Sequence, residues 1–322
     1  MTRRRQEDDL RSTRRSRTFY PVDDVLQKRM AAVSFEGYYT YLLHQDLGFV
    51  IPYTGPVARV IGPDATRVRP LIEAALSQRE GSISEPVRHF GNSTAQLVVI
   101  AGPTTYEVAY LYPATAGASE NPTAFRLELV LPGTLSYRDG RPVQYVPAAY
   151  GGSRDKTGLT YVELDPGTLI TFRFDPAREA AVRRMVDFLR AANVQQGAEA
   201  SLIDQSMRGS TPYDFAQHQQ LRGELFAKVT EPIGWNVRGL FKDNHLEPYG
   251  VWRQLRFLEF KLGLRDLIIS RLNATLSEIG NRMGFQATIE LRGQRTLEEV
   301  QQAKDDFRSG RRGLGDLATF AV

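Results

Sequence analysis

The 322-residue sequence contains no cysteine. That excludes disulfides, a thiolate nucleophile and any cysteine-ligated metal, and it fits a reducing compartment or indifference to redox state. Long hydrophobic runs are missing too. No stretch of about 18 apolar residues occurs, so no membrane-spanning helix and no membrane partner are expected. The opening MTRRRQEDDLRSTRRSRTFYPVDD lacks the apolar core of a signal peptide. We therefore expect a protein made or assembled inside a cell. Two N-x-S/T matches, at Asn92 and Asn273, then carry no glycosylation meaning.

Chemistry-bearing motifs are equally scarce. The four histidines, His44, His89, His218 and His245, are scattered and form no metal-spaced pattern. There is no G-x-S-x-G elbow, no phosphate-binding loop and no dinucleotide fingerprint. Gly55 and Gly62 in GPVARVIGP stand too far apart to imitate one. Carboxylates are plentiful, but sequence alone selects no acid and base pair from them. The expectation is a non-enzyme with no cofactor and no metal; a hydrolase using paired carboxylates is the alternative.

What the chain does have is unevenly placed charge. The formal net charge is +4. Arg3, Arg4, Arg5, Arg11, Arg14, Arg15 and Arg17 face only Glu7, Asp8 and Asp9 in the first 17 residues, while the remainder holds 34 basic and 34 acidic groups. Residues 1–18 thus read as a basic disordered arm, suited to nucleic acid, an anionic partner or an acidic neighbouring subunit. A solubilising tail without a partner is the plain alternative. No zinc-finger spacing, basic zipper or aromatic RNA-binding signature accompanies the arm.

The rest divides by character into an α+β protein. Residues 19–86 read as a helical and turn-rich region, with Asp23 or Asp24 capping a helix that carries Val25, Leu26, Met30 and Val33, and a short helix at Leu71 to Gln78. Residues 87–175 read as a β-rich domain of antiparallel strands: AQLVVIAG, TYEVAYLYP, FRLELVLPG, PVQYVPA, LTYVELDPG and TLITFRF. The Asp-Gly in YRDGRPVQY signals a tight hairpin. Residues 176–322 read as helical, with Asp175 and Pro176 starting the first helix, a polar loop or lid near 193–220, and a strand in FQATIELRG. A last helix is opened by a Thr296 and Glu299 capping box.

Residues 249–283 are the most ordered text. Val251, Leu255, Leu258, Leu262, Arg265, Ile269, Leu272, Leu276, Ile279 and Met283 recur in unbroken 4-3 steps, predicting a helix of about 35 residues and about 52 Å. A second row, Trp252, Phe257, Phe260, Leu264, Leu267 and Ile268, widens the apolar face, so the helix needs cover on more than one side. Arg265 interrupts the stripe. A buried guanidinium needs a partner, and Asp266 points about 100° away, so a carboxylate from another element or another subunit is expected, or else a side chain that snorkels to water. Gly263 in mid-helix suggests a close approach or a kink. Trp235, in the Gly-flanked turn IGWNV, and Trp252 are core anchors or, with Arg265, oligomer contacts.

The runs RHFGNSTAQLVVIAGPTTYEVAYLYPA, FRLELVLPGTLSYRDGRPVQYVPA and GLTYVELDPGTLITFRFDP resemble the β-rich segment of portal proteins of tailed double-stranded DNA bacteriophages. VTEPIGWNVRG and YGVWRQLRFLEFKLGLRDLIISRLNATLSEIG, with their R-x-L-R-F and L-R-D-x-I elements, resemble the long C-terminal helix of that family. The likeness covers about residues 20–310 and rests on pattern and order; the chain is short for the family, and no clip or tunnel loop is placed. The resemblance implies a virion protein, assembled in the host cytoplasm as a homo-oligomeric ring, usually a dodecamer in that family, at a capsid vertex. It further implies double-stranded DNA in transit, and contacts with capsid, terminase and head-tail connector proteins. The alternative from the residues themselves is another virion structural or nucleic-acid-binding protein working through its arginine arm.

Overall fold

The computed structural model describes residues 10–12, 37–52, 58–76, 86–113, 121–148, 151–156, 158–208, 215–237 and 247–321. It is α+β with antiparallel sheets. The helix expected after Asp23 or Asp24 lies outside the described residues. The chain divides into two compact units. One comprises residues 1–34, 51–173 and 267–293, and the other residues 35–50, 174–266 and 294–322.

The first unit holds the strands. β1 (Leu10–Ser12), β3 (Thr104–Pro113), β4 (Ala124–Val130) and β9 (Leu169–Phe172) form one sheet around β3, which pairs antiparallel with the other three. β4 covers Thr105 to Leu111 of β3, while β9 pairs with Thr104 to Glu107 and β1 with Leu111 to Pro113. The first six residues of β3 are all buried, on both faces, so simple alternation emerges only toward Tyr112. Phe90, Tyr106 and Phe172 meet in a ring triangle with centroids 5.0 to 5.9 Å apart, a separation that favours tilted and edge-on aromatic contacts.

A second antiparallel sheet takes β5 (Leu135–Arg138), β6 (Arg141–Tyr145), β8 (Thr160–Glu163) and β7 (Ser153–Arg154) in the order β5-β6-β8-β7. Asp139 and Gly140, with φ of 50° and 77°, make the turn between β5 and β6. Positive φ at both central residues is what a two-residue hairpin loop requires, so the Asp-Gly signal is realised. β2 (Ala58–Ile61) pairs with β10 (Thr288–Leu291) in a separate ribbon. Two helices complete the unit's middle: α2 (Ala65–Leu76), which runs through Pro70 and starts earlier than the sequence suggests, and α3 (Pro86–Ile100).

α3 corrects one expectation. AQLVVIAG, read as a strand, forms the end of this helix. Phe90, Ala95, Val98, Val99 and Ile100 are all buried. A helix covered on several sides loses its 3.6-residue pattern and looks like a β-type run. The β-rich region therefore opens at Thr104.

The second unit is helical. It contains α1 (Tyr38–Leu47), α4 (Pro176–Arg208), α5 (Phe215–Val229), α7 (Leu297–Arg308) and α8 (Leu314–Ala321). The loop expected near 193–220 is replaced by helix on both sides of a short connection, because α4 continues to Arg208 and α5 begins at Phe215. The run NVQQGAEASLIDQSMR is polar but rich in good helix formers, with Gly197 its only strong breaker, and polarity alone does not stop a helix. α7 opens with the expected capping box: the Thr296 hydroxyl accepts from Glu299 N–H at 3.2 Å, and Thr296 N–H donates to the Glu299 carboxylate at 2.9 Å.

α6 (Glu247–Met283) is the predicted long helix, 37 residues without a break. Residues to Asp266 belong to the helical unit and those from Leu267 to the other. Both apolar rows find cover within the chain. Val251, Leu255, Leu262, Leu272, Leu276 and Ile279 of the first row are buried, as are Phe260, Leu264 and Ile268 of the second. At the helical end, Val251, Leu255 and Leu262 pack with Val300 and Ala303 of α7 and Leu317 of α8.

Candidate functional site: the arginine-pinned long helix

The structure brings the noteworthy side chains to α6 and the segments packed on it. Arg253 is 3 % exposed and lacks a carboxylate partner among the described residues. Its guanidinium is held by neutral oxygens instead: Nη1 donates to Ala227 O at 2.8 Å and to Tyr249 Oη at 3.2 Å, and Nη2 donates to Thr230 Oγ1 at 2.5 Å and to Trp235 O. Ala227 lies in the last turn of α5, where carbonyls lack helical partners and the helix dipole is negative. A cation from α6 thus caps α5 from outside. Sequence reasoning missed Arg253 because it sits off the heptad stripe among other arginines, with no local spacing to mark it as buried.

Arg265 departs from expectation in one respect. Its side chain is buried, yet the partner is Asp266 after all: Nε donates to Asp266 Oδ1 at 2.8 Å and Nη2 lies 2.8 Å from the same oxygen, while Nη1 donates to Arg295 O at 2.8 Å. Neighbouring residues diverge by about 100° at the Cα, but a long guanidinium stem folds back over that angle, and the carboxylate is half in water. Arg265 ties α6 to the segment before α7 within one chain.

Trp235 is 1 % exposed, and its Nε1 donates to Asp46 Oδ2 at 2.8 Å, which joins the turn after α5 to α1. Gly234 explains how the turn reaches α6. Its φ is +74°, and a Cβ there would stand 2.7 Å from Phe257 N and 2.8 Å from Arg253 O, so only glycine lets the backbone lie against the helix. Trp252 is half-buried, with Lys304 Nζ 4.8 Å and Arg308 Cζ 5.5 Å from its ring. Lys304, 7 % exposed, pairs with Glu259 at 2.6 Å. Trp235, Trp252 and Arg265 are thus all engaged inside their own unit.

Gly263 is occupied neither by a kink nor by a neighbouring backbone. The Arg178 guanidinium lies over it, 5.4 Å from the Phe174 ring and 5.0 Å from the Phe260 ring, and burial pushes the Arg178 pKa below its usual value despite Asp175 nearby. Gly280 is a different case: a Cβ there would collide with Phe285 O, because the chain doubles back over the end of α6.

The two N-x-S/T asparagines acquire a meaning that the motif did not suggest. Asn92 Oδ1 accepts from Ile51 N–H at 2.7 Å and its Nδ2 donates to Ile51 O at 3.0 Å. Asn273 does the same to Ile289, at 2.7 and 2.9 Å. Each carboxamide imitates a neighbouring strand and satisfies both backbone groups of one residue. Asn273 thereby closes the outer edge of β10, a place where unpaired strand groups invite unwanted pairing.

Of the arm arginines, Arg11 falls in β1, opposite Tyr112 of β3. Arg3, Arg4, Arg5, Arg14, Arg15 and Arg17 lie outside the described residues. Among the described residues, no group of three or more histidine, aspartate or glutamate side chains is arranged to hold a metal, and no helix is long and apolar enough to cross a membrane. Exposed large apolar side chains do occur on the helical unit: Tyr38 and Tyr41 on α1, Phe49 just beyond it, and Leu221 and Leu225 on α5.

No protein-family model matches the chain, and no curated protein matches it. A solved structure to which it is similar is described as "Neck of native GTA particle computed with C12 symmetry". The alignment has a TM-score of 0.46 and 10 % sequence identity, and it covers 94 % of this chain and 93 % of the other.

Proposed function

We propose that the chain is a structural subunit of a virion or virus-like particle, and more specifically a portal-like protein that assembles as a closed ring. The observation that carries this reading is α6. It is a continuous 37-residue helix of the length and pattern that the resemblance to portal proteins rests on, pinned by two buried arginines. A helix several times the usual three or four turns, fixed at this many points, serves as a spine rather than as a wall for a small-molecule pocket. In the finer reading, copies close by rotational symmetry, heterologous contacts repeat around the ring, and double-stranded DNA passes through while capsid, terminase and connector proteins bind outside.

The arginine arm belongs to this reading as a flexible basic contact for nucleic acid or an acidic neighbour. Its own test is deletion of residues 1–17. Loss of nearly all DNA affinity with assembly unchanged favours a DNA-binding virion protein over a portal. The reading as a whole is tested by negative-stain microscopy of the purified full chain: closed rings with a central hole are expected, and a uniform population of monomers contradicts it.

A further inference from the structure

The ribbon of β2 and β10 has two edges that are treated unequally. Asn273 of α6 accepts from Ile289 N–H and donates to Ile289 O, so both backbone groups of Ile289 point toward α6 and away from β2. Residues directly opposite in an antiparallel ladder either exchange both hydrogen bonds or exchange neither. Val60 stands opposite Ile289, so this pair exchanges neither, and the N–H and C=O of Val60 point outward from the far edge. Among the described residues no hydrogen bond engages either group. Arg59 and Ile61 flank Val60 and are both exposed on one face of the ribbon. Glu290, opposite Arg59, is taken by Arg292 at 2.6 Å, and Asp64, just past the end of β2, is taken by Arg67 at 3.1 Å. Arg59 is thus a cation with no ion pair among the described residues, and it stands beside an open strand edge.

We propose that the β2 edge is a docking site for a third strand, and that its occupant is an extended acidic segment of a partner protein. Val60 N–H donates to one residue of that segment and Val60 C=O accepts from the same residue, as the next rung of an antiparallel ladder. The rungs on either side, at Arg59 and Ile61, are then of the closer kind, in which facing side chains touch. A carboxylate opposite Arg59 supplies the missing partner, and an apolar side chain opposite covers Ile61. The donor and acceptor of Val60 together match a peptide unit, whereas a phosphate only accepts and leaves the Val60 carbonyl unmatched. A second copy fits less well. Pairing β2 with its own copy about Val60 sets each Arg59 against an Ile61, and both guanidiniums still lack a carboxylate. A third strand also strengthens the sheet itself, because ribbons of two strands are its marginal form.

The test measures binding of a fluorescein-labelled peptide, alternating threonine and valine around one central glutamate, to the full chain by fluorescence anisotropy. The comparison is the same peptide with lysine in place of the glutamate. The glutamate peptide is expected to bind severalfold tighter, because opposite charges across a strand pair attract and like charges repel. Val60→Pro is tolerated at an edge position whose N–H faces outward, and it is expected to weaken binding about tenfold with circular dichroism unchanged. Arg59→Glu, at an exposed position, is expected to reverse the preference in favour of the lysine peptide. Equal affinities for the two peptides overturn the proposal, as does binding that survives in both variants or that neither peptide shows. Self-association of the parent chain that Val60→Pro abolishes also overturns it, by giving the edge to a second copy.

Discussion

Replacing Arg253 by methionine removes a guanidinium from the most heavily bonded buried position on α6 and keeps much of the side chain's bulk. Trp235 O then loses its charged donor in a buried site and Ala227 O in a partly buried one, and Thr230 Oγ1 keeps only its own donation to Phe226 O at 2.7 Å. A stranded buried acceptor costs about 1–3 kcal/mol. One buried and one partly buried carbonyl, together with the lost cation at the C-terminal end of α5, give an expected destabilisation of about 3 kcal/mol, less whatever burial of the methionine returns. Arg253→Lys should recover only part of this, because an ammonium cannot reach the same spread of oxygens as a guanidinium fork. The assay is convenient. Both tryptophans, Trp235 and Trp252, belong to the helical unit, so urea unfolding followed by tryptophan fluorescence reports on that unit. A shift below about 1 kcal/mol in Arg253→Met, or an Arg253→Lys variant as stable as the parent, would refute the assignment of Arg253 as the pin.

Other substitutions test neighbouring points. Gly263→Ala is expected to stabilise the chain by up to about 1 kcal/mol through helix propensity, because the added Cβ meets only the Arg178 guanidinium, Nη1 at 3.7 Å and Nη2 at 4.0 Å. Gly280→Ala should instead lower the melting temperature, since its Cβ is forced against Phe285 O; equal effects of the two alanines would contradict the packing described. Asn92→Asp loses the donor to Ile51 O and sets a carboxylate against it, for an expected cost of about 2 kcal/mol at pH 7. Part of that cost is recovered below pH about 4, where a protonated acid donates again; thermal melts at the two pH values decide it. Asp64 is held below the ordinary carboxylate pKa by the Gln286 N–H and then by Arg67. A carboxylate depressed on folding stabilises above its unfolded pKa of 3.8, and the contribution is lost as pH falls through the folded value. Asp64→Asn should lower stability at neutral pH and flatten the acid limb of a stability-against-pH curve below pH about 4, so that the two proteins converge in acid.

The parts of the fold that sequence made legible are those where one rule acted alone. α6 was read almost to its ends because two apolar rows recur over ten turns, and the Asp139-Gly140 hairpin and the Thr296 capping box were read because each has a local chemical signature. α3 was misread because a helix buried on several sides erases its own periodicity, and the far half of α4 was misread because its polarity masked good helix formers. The key buried groups were hidden for a different reason. Arg253, Asn92 and Asn273 owe their roles to partners far along the chain, Thr230 at 23 residues, Ile51 at 41 and Ile289 at 16, and nothing in their immediate neighbours announces such a partner. The burial of Arg265 is legible as a charge in an apolar stripe, whereas its partner Asp266 is not, because the freedom of a long side chain exceeds what Cα directions suggest.

The central claim is that α6 is the spine of a subunit that closes on copies of itself. Native mass spectrometry of the full-length chain tests it most directly. The account predicts one dominant species whose mass is an integral multiple, on the order of twelve if a portal-like ring forms, of the 36.2 kDa chain. A dominant monomer that persists as protein concentration rises would contradict it.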